Sequence, residues 1–232
     1  EGKPWEMFFI GAFYSFVAVF LSLWIFKGYT TIVMVTLTVI ASVPFVHRII
    51  EMEEKKDLVS KSEKSLLKEH SKALFALMYL FLGFVASFTL LYLLLPGSLV
   101  QNIFSAQIET IVTINPSTPV GNFIAGFDLL SNILLNNLKI LFFCIAFSFF
   151  YGAGAIFILT WNASVMAAAI GGFVKSNLLN SGVFYATSLG LLQYLIHGIP
   201  EILAYFIGGL ASGIISFAII KHEFRAKKFN KI

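Results

Sequence analysis

Two ionisable side chains stand in an apolar stretch that holds almost no others. His197 and Glu201 are separated by Gly198-Ile199-Pro200, with Val183 to Ile196 before them and Ile202 to Ile220 after. An acid at mid-bilayer costs about 2.5–3.5 kcal/mol on insertion scales unless it is paired, hydrated or neutral. A carboxylate can bind a cation or a proton, and an imidazole titrates near neutral pH and can couple to it. Asn136, Asn137 and Asn162 add amide groups that could act as further ligands. The same pair also fits a tight interfacial hairpin whose side chains reach headgroup water, and the sequence leaves both readings open. A metal stays unassigned: zinc sites need three or four ligands, and no others can be nominated beside His197 and Glu201.

The backbone residues around this pair predict a helix break. Gly198 suits the end of one helix, and Pro200 suits the first turn of the next. His197 would then lie at a helix C-terminus, which favours a cation, and Glu201 at a helix N-terminus, which favours an anion. Such a break is tolerated at membrane depth only where protein or water satisfies the freed backbone groups.

Composition sets the class that must position these groups. The chain is 58% hydrophobic and only 12% charged, with 26 Phe among 232 residues. Soluble domains carry about twice that share of charge. Several runs approach the roughly 20 apolar residues needed to cross a bilayer. The expected fold is an all-α membrane protein: a polytopic bundle of about six transmembrane helices, with a re-entrant or half-length helix and an interfacial helix in a long outer loop. The first apolar run is too long, and too closely followed by a second, for a cleaved signal peptide. The net charge of +4 gathers at the ends of apolar spans, which speaks of topology rather than nucleic-acid binding. The single cysteine, Cys144, excludes an internal disulfide.

Four regions follow along the chain. Residues 1–47 form an N-terminal transmembrane hairpin, Phe8–Phe26 and Tyr29–Val46 joined by Lys27-Gly28, with Pro44 near its end. Residues 48–72 alternate acids and bases, including Glu51 and Lys55 at i, i+4, and read as a solvated cytoplasmic helical connector. His47, His70 and His222 flank spans and read as solvated. Residues 73–220 form a membrane core with spans at Leu74–Leu95, Lys139–Thr160, Val183–Ile196 and Ile202–Ile220. Its long outer loop, 96–138, contains Leu129-Leu130 and Ile133-Leu134-Leu135 at helical spacing, as expected of an interfacial helix. Residues 221–232 form a basic cytoplasmic tail.

Counting basic residues puts both the connector and the tail in the cytoplasm, so an even number of crossings separates them. The run Ala163–Phe173, interrupted from the fourth span at Trp161-Asn162, is then the re-entrant or half-length helix. Five crossings, with the tail outside, are the alternative. Small residues at Gly152 and Gly154, and at Ala204, Gly208, Gly209, Ser212 and Gly213, mark close helix packing, within the chain or across a homodimer.

Four elements in order resemble the stage II sporulation protein M family of integral membrane proteins. They are Asn136-Asn137-Leu138-Lys139, Gly152-x-Gly154, Asn162, and His197-Gly198 with Glu201 before a small-residue helix. The resemblance covers residues 70 to 220. It departs from the family at Ile196, where Pro is usual before His-Gly, and at Asn162-Ala163, where Asn-Gly is usual. The resemblance implies the membrane architecture and marks the His197–Glu201 segment. Sporulating members are scaffolds for a peptidoglycan-degrading machine.

Three functions are therefore weighed. The preferred expectation is transport or permeation of an ion, proton or small solute through a polar site near His197 and Glu201. The alternative is a non-enzymatic scaffold recruiting protein partners, through the connector or the outer loop, in membrane remodelling or cell-envelope processes. An intramembrane enzyme is the weakest reading. The chain has neither a Gly-x-Ser-x-Gly nucleophile elbow nor a His-Glu-x-x-His motif. No cofactor is expected, and the lipid bilayer is the expected surrounding.

Overall fold

A computed structural model describes residues 3–57, 63–114, 123–148, 153–181, 185, 187–189, 192 and 198–215. Among them every regular element is helical. The elements are α1 (Glu6–Ile25), α2 (Thr30–Asp57), α3 (Glu63–Leu94), α4 (Gly97–Ile103), α5 (Ser105–Ile114), α6 (Phe123–Ser148) and α7 (Ala153–Ser181). A further helical stretch, α8, is described over Gly198–Ile215. Among the described residues, five stretches are long and apolar enough to cross a membrane: Glu6–Ile25, Thr30–Glu53, His70–Leu94, Ala155–Asn177 and Gly198–Ile215. Leu134–Phe147 of α6 is a shorter apolar stretch. The chain is a multi-pass helical membrane protein.

Contacts fix the directions. Gly171 abuts Tyr92, and Lys175 reaches the carbonyl of Leu95, while Leu77 shares a cavity wall with Ile156 and Leu159. Helices α3 and α7 therefore run parallel. Gly198 abuts Met166 and Gly209 abuts Ala155, so α8 runs antiparallel to α7. Gly208 meets Leu141 and Ile145, and the Ser212 hydroxyl donates to the Ile145 carbonyl at 2.7 Å, so α6 runs alongside α8 in the same direction. Helix α7 sits centrally, touching α2, α3, α5, α6 and α8.

Packing is closest between α1 and α3. A Cβ on Gly83 would stand 2.2 Å from the Phe8 carbonyl oxygen, and one on Gly11 would stand 2.4 Å from that of Leu80. Absent side chains let the two backbones touch, the usual way helices associate in lipid. Phe81, Phe84, Phe88 and Phe104 fill the centre of the bundle. The outward face of α1 carries Phe9, Phe13, Phe16 and Phe20, with Trp5 and Trp24 near its two ends.

Several boundaries differ from the sequence expectation. Trp161-Asn162 does not interrupt a span: α7 is one 29-residue helix, and Ala163–Phe173 is its middle rather than a re-entrant segment. The Asn162 amide donates to the Ile158 carbonyl four residues back at 2.8 Å, satisfying itself within the helix. Small residues there admit a neighbour, since Gly171 lies under the Tyr92 ring. The expected span Lys139–Thr160 is divided between α6 and α7, and Asn136-Asn137 lies inside α6 rather than opening a helix. The expected interfacial helix at residues 129–135 belongs to that same α6. Pro44 does not end the second span, for α2 continues through it to Asp57.

Helix α5 is described over ten residues, about 15 Å at 1.5 Å per residue. Phe104, at its start, rests on Phe88 and Tyr92, and Gln107 is wholly buried against α7. The corner between α4 and α5 is pinned by Thr31, whose hydroxyl reaches the carbonyls of Ile103 (2.9 Å) and Asn102 (3.2 Å) and the hydroxyl of Ser105 (2.9 Å). The carbonyls at the end of α4 thereby find a donor that their own helix lacks.

Candidate functional site

Glu201 lies on α8, whose described residues run from Gly198 to Ile215. Gly198 is level with Met166 on α7. Gly198 is buried, and a Cβ there would displace the Met166 methyl. The antiparallel register puts Glu201 level with Ala163, one residue from Asn162.

The carboxylate is half-buried and accepts a hydrogen bond from the Tyr205 hydroxyl at 2.6 Å. Tyr205 itself is 1% exposed, so its ring is fixed by packing and its hydroxyl points back one turn to the acid. A carboxylate here accepts from one donor and keeps further lone pairs for a proton or a cation.

The other expected site residues divide. Asn162 is half-buried at the level of Glu201, but its amide nitrogen bonds to its own helix and no hydrogen bond joins it to Glu201. Asn137 shares the inward face of α6 with Leu141 and Cys144, one turn above the Leu141–Gly208 contact. Asn136 faces outward and is exposed. His197 and Gly152 lie outside the described residues, as does the basic tail. Gly154 stands in the first turn of α7. The small-residue stripe of α8 packs inside the chain at Gly208, Gly209, Ser212 and Gly213, while Ala204 is exposed. Gly208 lies against Leu141 and Ile145 on α6, Gly209 against Ala155 on α7, and Gly213 is buried. It leaves no face open for a second copy at Gly208 or Gly209.

Three polar arrangements went unforeseen. Glu53, 2% exposed, meets the His70 imidazole at 2.5 Å, so the connector begins and ends on a hydrogen-bonded pair rather than on solvated side chains. Gln107 donates through Nε2 to the Ser164 hydroxyl at 3.0 Å, and Ser164 in turn donates to the Trp161 carbonyl at 2.7 Å. Because the serine proton is already committed, chemistry fixes the amide orientation and leaves Gln107 Oε1 buried with no partner. Lys175 donates to the Leu95 carbonyl at 3.3 Å and lies 5.3 Å from the centre of the Tyr92 ring. Of the groups the sequence did not join, only Tyr205 carried a local signal, at i+4 from Glu201.

A cavity of about 20 Å³ lies about one turn below Tyr205, lined by apolar side chains including Leu77, Ile156, Leu159 and Phe206. No group of three His, Cys, Asp or Glu side chains able to hold a metal occurs among the described residues. Compared with family models, curated proteins and solved structures, the chain matches none of them.

Proposed function

We propose that this membrane protein passes a proton or small cation across the bilayer, with Glu201 as the group that binds and releases it. One observation carries the reading: a carboxylate stands level with Ala163, inside the apolar stretch Ala155–Asn177 of α7, held by the hydroxyl of a fully packed tyrosine. Ionisable groups at such depth are expensive and mark ion and proton paths. The Tyr205 hydroxyl donates to the carboxylate, whose remaining lone pairs take an arriving proton or cation. His197, four residues earlier in the sequence, is the proposed relay, and membership of the stage II sporulation protein M family is part of the same proposal. No enzymatic step is invoked.

The second reading, a non-enzymatic scaffold, draws on the buried hydroxyls of the bundle. Ser15, Ser22, Thr38, Ser42 and Thr160 all bond to carbonyls of their own helices. Liposome flux separates the two. The purified chain should dissipate a proton or monovalent-cation gradient, and Glu201→Gln should abolish that flux while Tyr205→Phe slows it. A folded wild type with no flux above empty liposomes, or flux indifferent to Glu201→Gln, refutes the proposal and leaves the scaffold.

A further inference from the structure

Polar side chains from three helices turn toward one seam at the level of Glu201. Gly208 meets Leu141 and Ile145 of α6, and Ser212 bonds to the Ile145 carbonyl. Residues 201, 205, 208 and 212 recur at helical spacing, so Glu201 lies on the stripe of α8 that faces α6. The facing stripe of α6 holds Leu141 and Ile145, and Asn137, one turn before Leu141, continues it. On α7 the stripe toward α8 runs from Ala155 to Met166, which meet Gly209 and Gly198. Asn162 falls on that stripe, seven residues after Ala155 and four before Met166. Helices α6, α7 and α8 all touch one another.

The levels agree as well. The antiparallel register of α7 and α8 sets Glu201 opposite Ala163, next to Asn162. The contacts of Gly208 with Leu141 and Ile145 set Glu201 opposite residues 134–138 of α6, a span that includes Asn137. All three groups therefore stand within about one turn, or 5 Å, along the bundle. All three are half-buried, whereas Asn136 is exposed on the outer face of α6.

Their chemistry suits a particular charge. The Asn162 amide nitrogen donates to the Ile158 carbonyl at 2.8 Å, which leaves Oδ1 as the atom Asn162 can offer a cation. Glu201 keeps lone pairs beyond the one that accepts the Tyr205 proton. Asn137 supplies a second amide oxygen. A proton needs only the carboxylate, whereas a hard cation takes several oxygen ligands. Glu201 is the only acid in the described parts of α7 and α8. Asp128, the only acid of α6, stands nine residues before Asn137, and Lys139 is exposed on the face of α6 opposite Asn137. One negative charge balances one positive charge, and a divalent ion would leave an uncompensated charge within the bundle.

We propose that this seam binds a monovalent alkali cation, sodium or potassium, through the Glu201 carboxylate and the Oδ1 atoms of Asn137 and Asn162. The inference rests on the permeation reading, which makes Glu201 the binding group, and it deepens that reading by naming the ion class and two further ligands.

The test is isothermal titration calorimetry of the full chain in lipid nanodiscs, in choline buffer, with sodium, potassium and calcium chlorides. Liposome flux is measured on the same preparations. Sodium or potassium should bind saturably at one site per chain, and more tightly than calcium. Asn137→Ala and Asn162→Ala should each weaken binding about tenfold, as the loss of one contact to a charged group predicts. Asn136→Ala, on the outer face, should bind as the wild type does. Asn162→Asp brings a second carboxylate to the seam and should reverse the order, so that calcium binds more tightly than either alkali cation. Misfolding cannot mimic that gain. Glu201-dependent proton flux without sodium or potassium binding overturns the cation site and leaves permeation standing. Binding in the expected order without flux supports the site and sinks permeation. A wild type that prefers calcium, or alkali binding indifferent to both Asn137→Ala and Asn162→Ala, also overturns the site.

Discussion

Replacing Gly83 by alanine tests the packing on which every depth in this bundle depends. In a helix facing open space, Gly→Ala stabilises by about 1 kcal/mol through propensity alone. Here the new methyl would stand 2.2 Å from the Phe8 carbonyl oxygen and 2.9 Å from the Ala12 nitrogen. Both obstacles are main-chain atoms of α1, so no side chain can rotate away and the whole helix must retreat by about 1 Å. Overpacking of this kind costs typically 1–3 kcal/mol. We take about 3 kcal/mol, because displacing α1 also loosens the neighbouring Gly11–Leu80 approach. The expected net effect is a loss of about 2 kcal/mol, opposite in sign to propensity. Reversible unfolding in bicelles measures it. Gly28→Ala, whose Cβ would meet nothing within 4 Å, serves as the control and should stay within about 0.5 kcal/mol of wild type. A Gly83→Ala protein as stable as wild type, or more so, would refute the α1–α3 register.

The same unfolding assay checks the polar pairs. Ser164→Ala should cost about 1–3 kcal/mol because it leaves the Gln107 amide wholly unpaired, whereas Gln107→Leu, which removes the orphaned oxygen with the bond, should be near neutral. Thr31→Val should cost about 1 kcal/mol and expose the α4–α5 corner to faster hydrogen exchange at Asn102 to Ser105. His70→Ala should cost about 2 kcal/mol, less than a fully buried pair because the imidazole is 15% exposed, and a double-mutant cycle with Glu53→Gln should recover coupling.

Much of the fold was legible because lipid enforces a simple rule. Apolar runs of sufficient length become helices, so α1, the body of α2 and α3 were visible in composition. Boundaries were less so. Pro44 looks like a stop, but a membrane helix passes through proline when neighbours satisfy the freed carbonyl. Trp161-Asn162 looks like a break, but the asparagine bonds back into its own turn. The half-length element was assigned to the small residues of Ala163–Phe173, which instead make room for Tyr92. Helix α5 carries an ordinary-looking glutamine whose partner is 57 residues away. The site was legible to the extent that its chemistry is local, since Tyr205 stands one turn on from Glu201. The level of Glu201 could not be read, because it depends on Met166 and on the register of α8 against α7.

Infrared difference spectroscopy of the reconstituted protein tests the account most directly, by following the carboxyl band of Glu201 as pH and external cation are stepped. Exchange with the aqueous phase requires a carboxyl band that rises on acidification, shifts when the cation is added, and is absent from Glu201→Gln. A carboxyl signal that ignores both solutes in the folded protein would mean that Glu201 is sealed in place by Tyr205, and permeation through this site would fall.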